Sequence, residues 1–225
     1  MNEVKVGIIG IGNMGYAHLQ TVTAGNIPDM TVTAVCDINP ERLKAAKAEY
    51  PDIAAFGDYT DLLKNSDTNA VIIAVPHPLH AKIAIEAFEY GKHVLVEKPI
   101  DITVSAAEKL CAAARKSGKV FAVMFNQRTN GLFREARRIV NSGELGELKR
   151  SVWIITNWYR TQSYYDSGSW RATWRGEGGG VLLNQAPHNL DIWQWICGKP
   201  SAVTAFCNVG KFHNIEVEDE ATIYT

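Results

Sequence analysis

The chain has 225 residues, of which 46% are hydrophobic and 21% charged, with a formal net charge of -1. That length holds one large domain or two modest ones, in the balance of an ordinary globular protein. The near-zero charge gives no pull toward nucleic acid or an anionic membrane, and no apolar stretch reaches the ~18 residues of a spanning helix.

The N-terminus, Met1-Asn2-Glu3-Val4-Lys5, runs straight into a strand pattern and lacks a signal-peptide pattern. Val4–Gly10 is a continuous β-branched run, as expected of a strand buried on both faces. A helix is expected over Met14–Ala24 and a second strand over Thr31–Cys36. Pro40–Glu49 reads as a helix capped by Asn39, with proline at its first position. A short strand at Ala54–Phe56, a helix at Tyr59–Lys64 and a strand at Ala70–Val75 follow. Then come a helix at Leu79–Tyr90, a strand at Val94–Val96, a helix at Val104–Lys116 and a strand at Val120–Phe125. This alternation argues a Rossmann-type doubly wound parallel sheet.

Near Asn126 the pattern changes, which divides the chain into residues 1–126 and 127–225. A helix over Leu132–Ser142 and another near His188–Ile196 stand among strand-like stretches at Leu148–Trp158, Val203–Gly210 and Val217–Tyr224. That reads as an α+β domain with an open, mostly antiparallel sheet. A lone terminal strand usually has partners, so the second sheet is expected to be incomplete. The four cysteines, Cys36, Cys111, Cys197 and Cys207, have no metal-ligand or paired spacing. They read as reduced, mostly buried thiols of a cytoplasmic protein, and no metal site is expected.

Gly10-Ile11-Gly12-Asn13-Met14-Gly15 fits G-x-G-x-x-G, and it directly follows a buried-type strand and opens a helix. In that context the loop and the helix N-terminus suit a dinucleotide pyrophosphate, so Gly10, Gly12, Asn13, Met14 and Gly15 are cofactor candidates. Asp37 ends the second strand, where a carboxylate can accept both ribose hydroxyls and repel a 2′-phosphate. This favours NAD over NADP, although Arg42 lies near enough in sequence to keep NADP open. Pro76, His77 and His80 follow the fourth strand on the ligand side of such a sheet, with a rigid loop carrying solvated histidines as the competing reading. Glu97-Lys98-Pro99 follows the fifth strand, and there Lys98 can meet the reacting end of a cofactor. A snorkelling surface lysine paired with Glu97 is the alternative.

Asn184, His188 and Asp191 are spaced i, i+4, i+7 after three glycines, which on a helix places them on one face. A histidine flanked by an amide and a carboxylate suits proton removal from an alcohol. A polar cluster capping a core helix would look the same. The loop from Trp158 to Arg175 is dense in aromatics and arginines, among them Tyr164, Trp170, Arg171 and Trp174. Such residues stack on sugar faces and bond hydroxyls or carboxylates, and they also mark oligomer contacts.

Together the glycine loop, Glu97-Lys98-Pro99 and the glycine-rich segment leading to His188 and Asp191 resemble the Gfo/Idh/MocA oxidoreductases. The resemblance covers the whole chain. It implies that Lys98 meets substrate and nicotinamide, that His188 is the acid/base residue, and that Asp191 binds or orients substrate. It also implies a homo-oligomer formed through the C-terminal sheet. Two residues depart from the pattern: Asn184 stands where cyclitol-oxidising members often carry a carboxylate, and His77 replaces a common asparagine. Trp170-Arg171-Ala172-Thr173-Trp174 looks more like the branch acting on sugars, glycosides or anhydrosugars. The expected activity is NAD-dependent oxidation of a secondary alcohol of a sugar, sugar derivative or cyclitol. The alternatives are a glycoside-cleaving enzyme that oxidises C3 transiently, and a non-catalytic sugar or dinucleotide sensor.

Overall fold

The apolar runs of the first half become six strands, β1 (Val4–Ile9), β2 (Met30–Cys36), β3 (Ala54–Phe56), β4 (Ala70–Ile73), β5 (His93–Val96) and β6 (Phe121–Val123). They pair in parallel in the order β3-β2-β1-β4-β5-β6. That order reverses direction between β1 and β4, where doubly wound folds bind ligands beyond the carboxyl ends of their strands. The computed structural model describes residues 3–156 and 159–225.

The helices α1 (Asn13–Thr23), α2 (Pro40–Glu49), α3 (Tyr59–Asn65), α4 (His80–Glu89) and α5 (Val104–Ser117) connect the strands. Their starts follow from local chemistry. Asn39, Asp58 and Thr103 each accept a hydrogen bond from a backbone N–H of the first turn, a cap that stabilises a helix by about 1 kcal/mol. Strand periodicity then sorts side chains onto the two faces of the sheet. Val6, Ile8, Val35 and Ile72 join Leu19, Val22 and Ala46 in one buried cluster. Ile9, Cys36, Val71, Ile73 and Val96 join Leu62, Ala84, Phe88 and Leu110 in another. Each large side chain so buried stabilises the fold by ~1.5–3 kcal/mol, and together the two clusters fix the sheet edge that carries the loops.

The chain divides into two compact units between Met124 and Phe125. The second unit holds α6 (Gly131–Ser142), α7 (Gln162–Asp166), a π-helical turn at Val181–Gln185, α8 (Pro187–Cys197), and an antiparallel pair, β7 (Thr204–Val209) with β8 (Glu218–Tyr224). Tyr165, Ala172 and Val217 form a small buried cluster there.

Three expectations are corrected. The strand expected over Leu148–Trp158 is irregular across its described residues 148–156. Instead, Trp153 stacks near Phe133 and donates its indole N–H to Asn189, and Trp193 donates to Ser151. Helix contacts therefore replace a strand ladder. Trp158 itself lies outside the described residues. The spacing of Asn184, His188 and Asp191 does not lie on one α-helix, because Pro187 opens α8 and Asn184 sits in the π turn before it. Of the cysteines only Cys36 is buried, and burial pushes its thiol up to about 12. Cys111 and Cys197 are half-buried and Cys207 is exposed.

Candidate active site

In the first unit, β1 delivers the glycine loop to the carboxyl edge of the sheet. Helix α1 starts so close to the strand that a Cβ on Gly15 would lie 1.8 Å from the Gly10 carbonyl oxygen. Only hydrogen fits there. A Cβ on Gly12 meets nothing nearer than the Arg42 guanidinium at 3.7 Å. The space before the helix is therefore open, and among the described residues no side chain caps the N-terminus of α1. Its first N–H groups can serve an anion. Asn13 and Met14, the first two residues of α1, are both exposed on this approach.

Asp37 is buried just past β2. Its Oδ2 accepts from Ile11 N at 2.9 Å and from the Arg42 guanidinium at 3.3 Å, and its Oδ1 accepts from Asn39 N at 2.8 Å. An ionised carboxylate has about four acceptor sites. One therefore remains for a ribose hydroxyl, and a second opens if Arg42 swings away. The open phosphate approach and the incompletely used carboxylate fit a dinucleotide such as NAD.

Past β4, Pro76 is exposed and His77 is buried in the following turn. His80 is fully buried, with Nδ1 2.7 Å from the Pro99 carbonyl and Nε2 2.8 Å from the Val75 carbonyl. Both ring nitrogens thus face backbone carbonyls, and His80 is the tie between these two turns. Past β5, Glu97 is buried, and its carboxylate meets His18 Nε2 at 2.8 Å and Lys98 N at 3.3 Å. Burial pushes the Glu97 pKa up, but the His18 hydrogen bond and the Lys98 N–H outweigh it and hold the carboxyl below its ordinary value. Lys98 is half-buried, and the Lys98–Pro99 peptide is cis. Nothing in the sequence pattern singled out His18, which lies 79 positions from its partner.

In the second unit, Gly180 lets the π turn pass so close to β8 that an added Cβ would lie 1.9 Å from the Glu218 carbonyl oxygen. The Glu218 carboxylate accepts from Gly180 N and Leu182 N. This fixes the turn that carries Asn184. The Asn184 amide donates to the carboxylate of Glu177, which is fully buried, and lies 3.3 Å from the Tyr164 hydroxyl. Arg171 donates to the same hydroxyl at 2.7 Å and stacks on the rings of Tyr164 and Trp170. The structure therefore joins four of the expected substrate residues, Asn184, Tyr164, Arg171 and Trp170. It adds Glu177 and Arg160, whose guanidinium lies 4.7 Å from the Tyr164 ring centre. Trp174 is 55% exposed. His188 lies in the first turn of α8, edge-on to Phe125 at 6.1 Å. Asp191 is drawn into a two-pronged pair with Arg128, at 2.8 and 2.5 Å, and this pairing raises the Arg128 pKa. Arg128 is a residue the sequence reading passed over.

Known proteins share both halves of this arrangement. Residues 4–125 match the family model described as the oxidoreductase family, NAD-binding Rossmann fold, and residues 133–225 match the GFO/IDH/MocA C-terminal domain. The chain belongs to the GFO/IDH/MocA family. It is 30% identical over 196 residues to the uncharacterized oxidoreductase YrbE of Bacillus subtilis, covering 87% of this chain and 54% of YrbE. It is also 30% identical over 212 residues to the levoglucosan dehydrogenase of Pseudarthrobacter phenanthrenivorans, covering 91% and 54%. Among solved structures, the WlbA dehydrogenase of Bordetella pertussis in complex with NADH and UDP-GlcNAcA superposes with a TM-score of 0.88. It is 28% identical, with 98% of this chain and 65% of WlbA covered. The chain spans about half the length of these two curated relatives. The glycine loop and Asp37 are thus parts of the family's NAD-binding Rossmann domain.

Proposed function

We propose that the protein carrying this chain is an NAD-dependent dehydrogenase of a secondary alcohol on a sugar, sugar derivative or cyclitol. The observation that carries the reading is Lys98 at the carboxyl end of β5, on the same sheet edge as the open glycine loop and Asp37. When bound, NAD supplies the hydride acceptor. Lys98 holds the substrate oxygen and offsets its developing negative charge. His188 takes the hydroxyl proton. Asn184, Tyr164 and Arg171 bond neighbouring hydroxyls, while Trp170 and Trp174 offer flat faces to a sugar ring. Asp191 orients substrate through the first turns of α8, which its pair with Arg128 steadies.

The levoglucosan named for one relative and the UDP-GlcNAcA in complex with WlbA support a carbohydrate ligand. Strand β7, exposed along its length with Phe206 and Val209 open, supports assembly of copies through that sheet. The test is the full-length protein with NAD against a panel of sugars, glycosides and inositols, following NADH. Sustained NADH formation with one carbohydrate is the expected result. Glycoside cleavage without net NADH would replace this reading by oxidation-assisted elimination. Saturable NAD binding with no turnover across the panel would leave a sensor.

A further inference from the structure

Two turns reach the carboxyl edge of the sheet side by side, one after β4 and one carrying Lys98 after β5. A single fully buried side chain joins them. His80 Nδ1 lies 2.7 Å from the carbonyl oxygen of Pro99, the residue after Lys98, and His80 Nε2 lies 2.8 Å from the carbonyl oxygen of Val75. A backbone carbonyl accepts and never donates. Each contact therefore needs a proton on the histidine nitrogen, and two contacts need two. With either proton missing, two lone pairs would face each other at hydrogen-bond distance.

We propose that His80 is a positioning residue for Lys98, a doubly protonated bridge that locks the Val75 turn to the Lys98 turn. The inference rests on the role given to Lys98 above. The groups around the ring agree with a positive charge. The carboxylates of Glu97 and Asp101 both act to keep it protonated, and the His77 ring lies 5.8 Å away. Lys98, like charged, is on the turn being held. Glu97 is itself anchored by His18, and Asp101 accepts from Ile102 N and Thr103 N, so neither carboxylate is free to retreat. Burial pulls the other way and outweighs both carboxylates and both carbonyls, so the imidazole's pKa lies below its ordinary value. It is the geometry of the two carbonyl contacts that calls for both protons. Lys98 must be held to within a fraction of an ångström to stabilise a reacting oxygen, which is why a rigid tie behind it matters.

Two measurements on the full-length protein decide the matter. The first is the nitrogen-15 spectrum of the His80 ring near neutral pH, in the protein with no substitution. Two N–H signals of imidazolium type are expected, and one unprotonated nitrogen would overturn the bridge. The second is His80→Gln, which can reach one carbonyl and not both. We expect kcat to fall about tenfold or more while the Kd for NAD stays within about twofold, with the Lys98 backbone amide signal displaced. Unchanged kcat with an undisplaced amide signal would overturn the positioning role. If His80→Gln fails to fold, the ring spectrum of the unsubstituted protein still decides. If the unsubstituted protein oxidises no alcohol, the reading of function fails by itself, and the ring spectrum and Lys98 amide still judge His80.

Discussion

Gly12 and Gly15 differ by three positions, and the structure gives opposite forecasts for replacing each by alanine. At Gly12 the new methyl finds the Arg42 guanidinium at 3.7 Å and nothing closer, with φ at -68°. Loss of glycine's preference for the cap costs a few tenths to 1 kcal/mol, and the stiffer unfolded chain returns about as much. Gly12→Ala should therefore leave the Tm within about 3 °C. The same methyl stands where a pyrophosphate backbone approach is needed, before the uncapped start of α1. NAD affinity should fall at least about tenfold, equivalent to ~1.4 kcal/mol. At Gly15 the methyl would sit 1.8 Å from the Gly10 carbonyl oxygen, so helix and strand must separate. Overpacking of that kind costs ~1–3 kcal/mol or more, with a Tm loss of several degrees. Thermal unfolding and calorimetric NAD titration of both variants separate these effects. A Gly12→Ala protein that binds NAD as tightly as the parent would refute the reasoning, as would a Gly15→Ala protein with unchanged Tm.

Asp37 and Arg42 offer a second forecast. Asp37→Asn removes the charge that repels a 2′-phosphate and releases the Arg42 guanidinium now 3.3 Å away. The NADP-to-NAD affinity ratio should rise about tenfold or more by fluorescence titration, and an unchanged ratio would mean the carboxylate plays no part in cofactor choice. A third concerns acid stability. The Glu97 carboxyl is held below its ordinary 4.5 in the folded protein, so its contribution is complete above that value and is lost as pH falls through the lowered one. Denaturant titrations below about pH 5 should therefore show a shallower acid loss in Glu97→Gln than in the parent, and parallel curves would remove the His18 pair from the account.

The Rossmann half was legible because its signals are local. A parallel strand buried on both faces is a continuous apolar run, as in Val4–Ile9 and Ala70–Ile73. The helix cap Asn39 announces itself a residue ahead of its helix. The second half was legible as helices and less so as strands. Residues 148–156 have strand-like composition, but a strand exists only with a partner, and this stretch packs its tryptophan on α6 and α8. The long-range pairs within each unit were invisible for a different reason. His18 meets Glu97, and Arg128 meets Asp191, across 79 and 63 positions of sequence. No spacing rule reaches so far. His80 could be read as lying on the ligand edge, yet only the fold shows its two nitrogens turned inward to carbonyls.

The central claim is that Lys98 touches the reacting alcohol. It is tested most directly by Lys98→Met in the full-length protein, with kcat on the best carbohydrate of the panel and the Kd for NAD measured side by side. The account predicts a fall in kcat of about a hundredfold or more, with the Kd for NAD within about threefold of the parent. Undiminished turnover would contradict it.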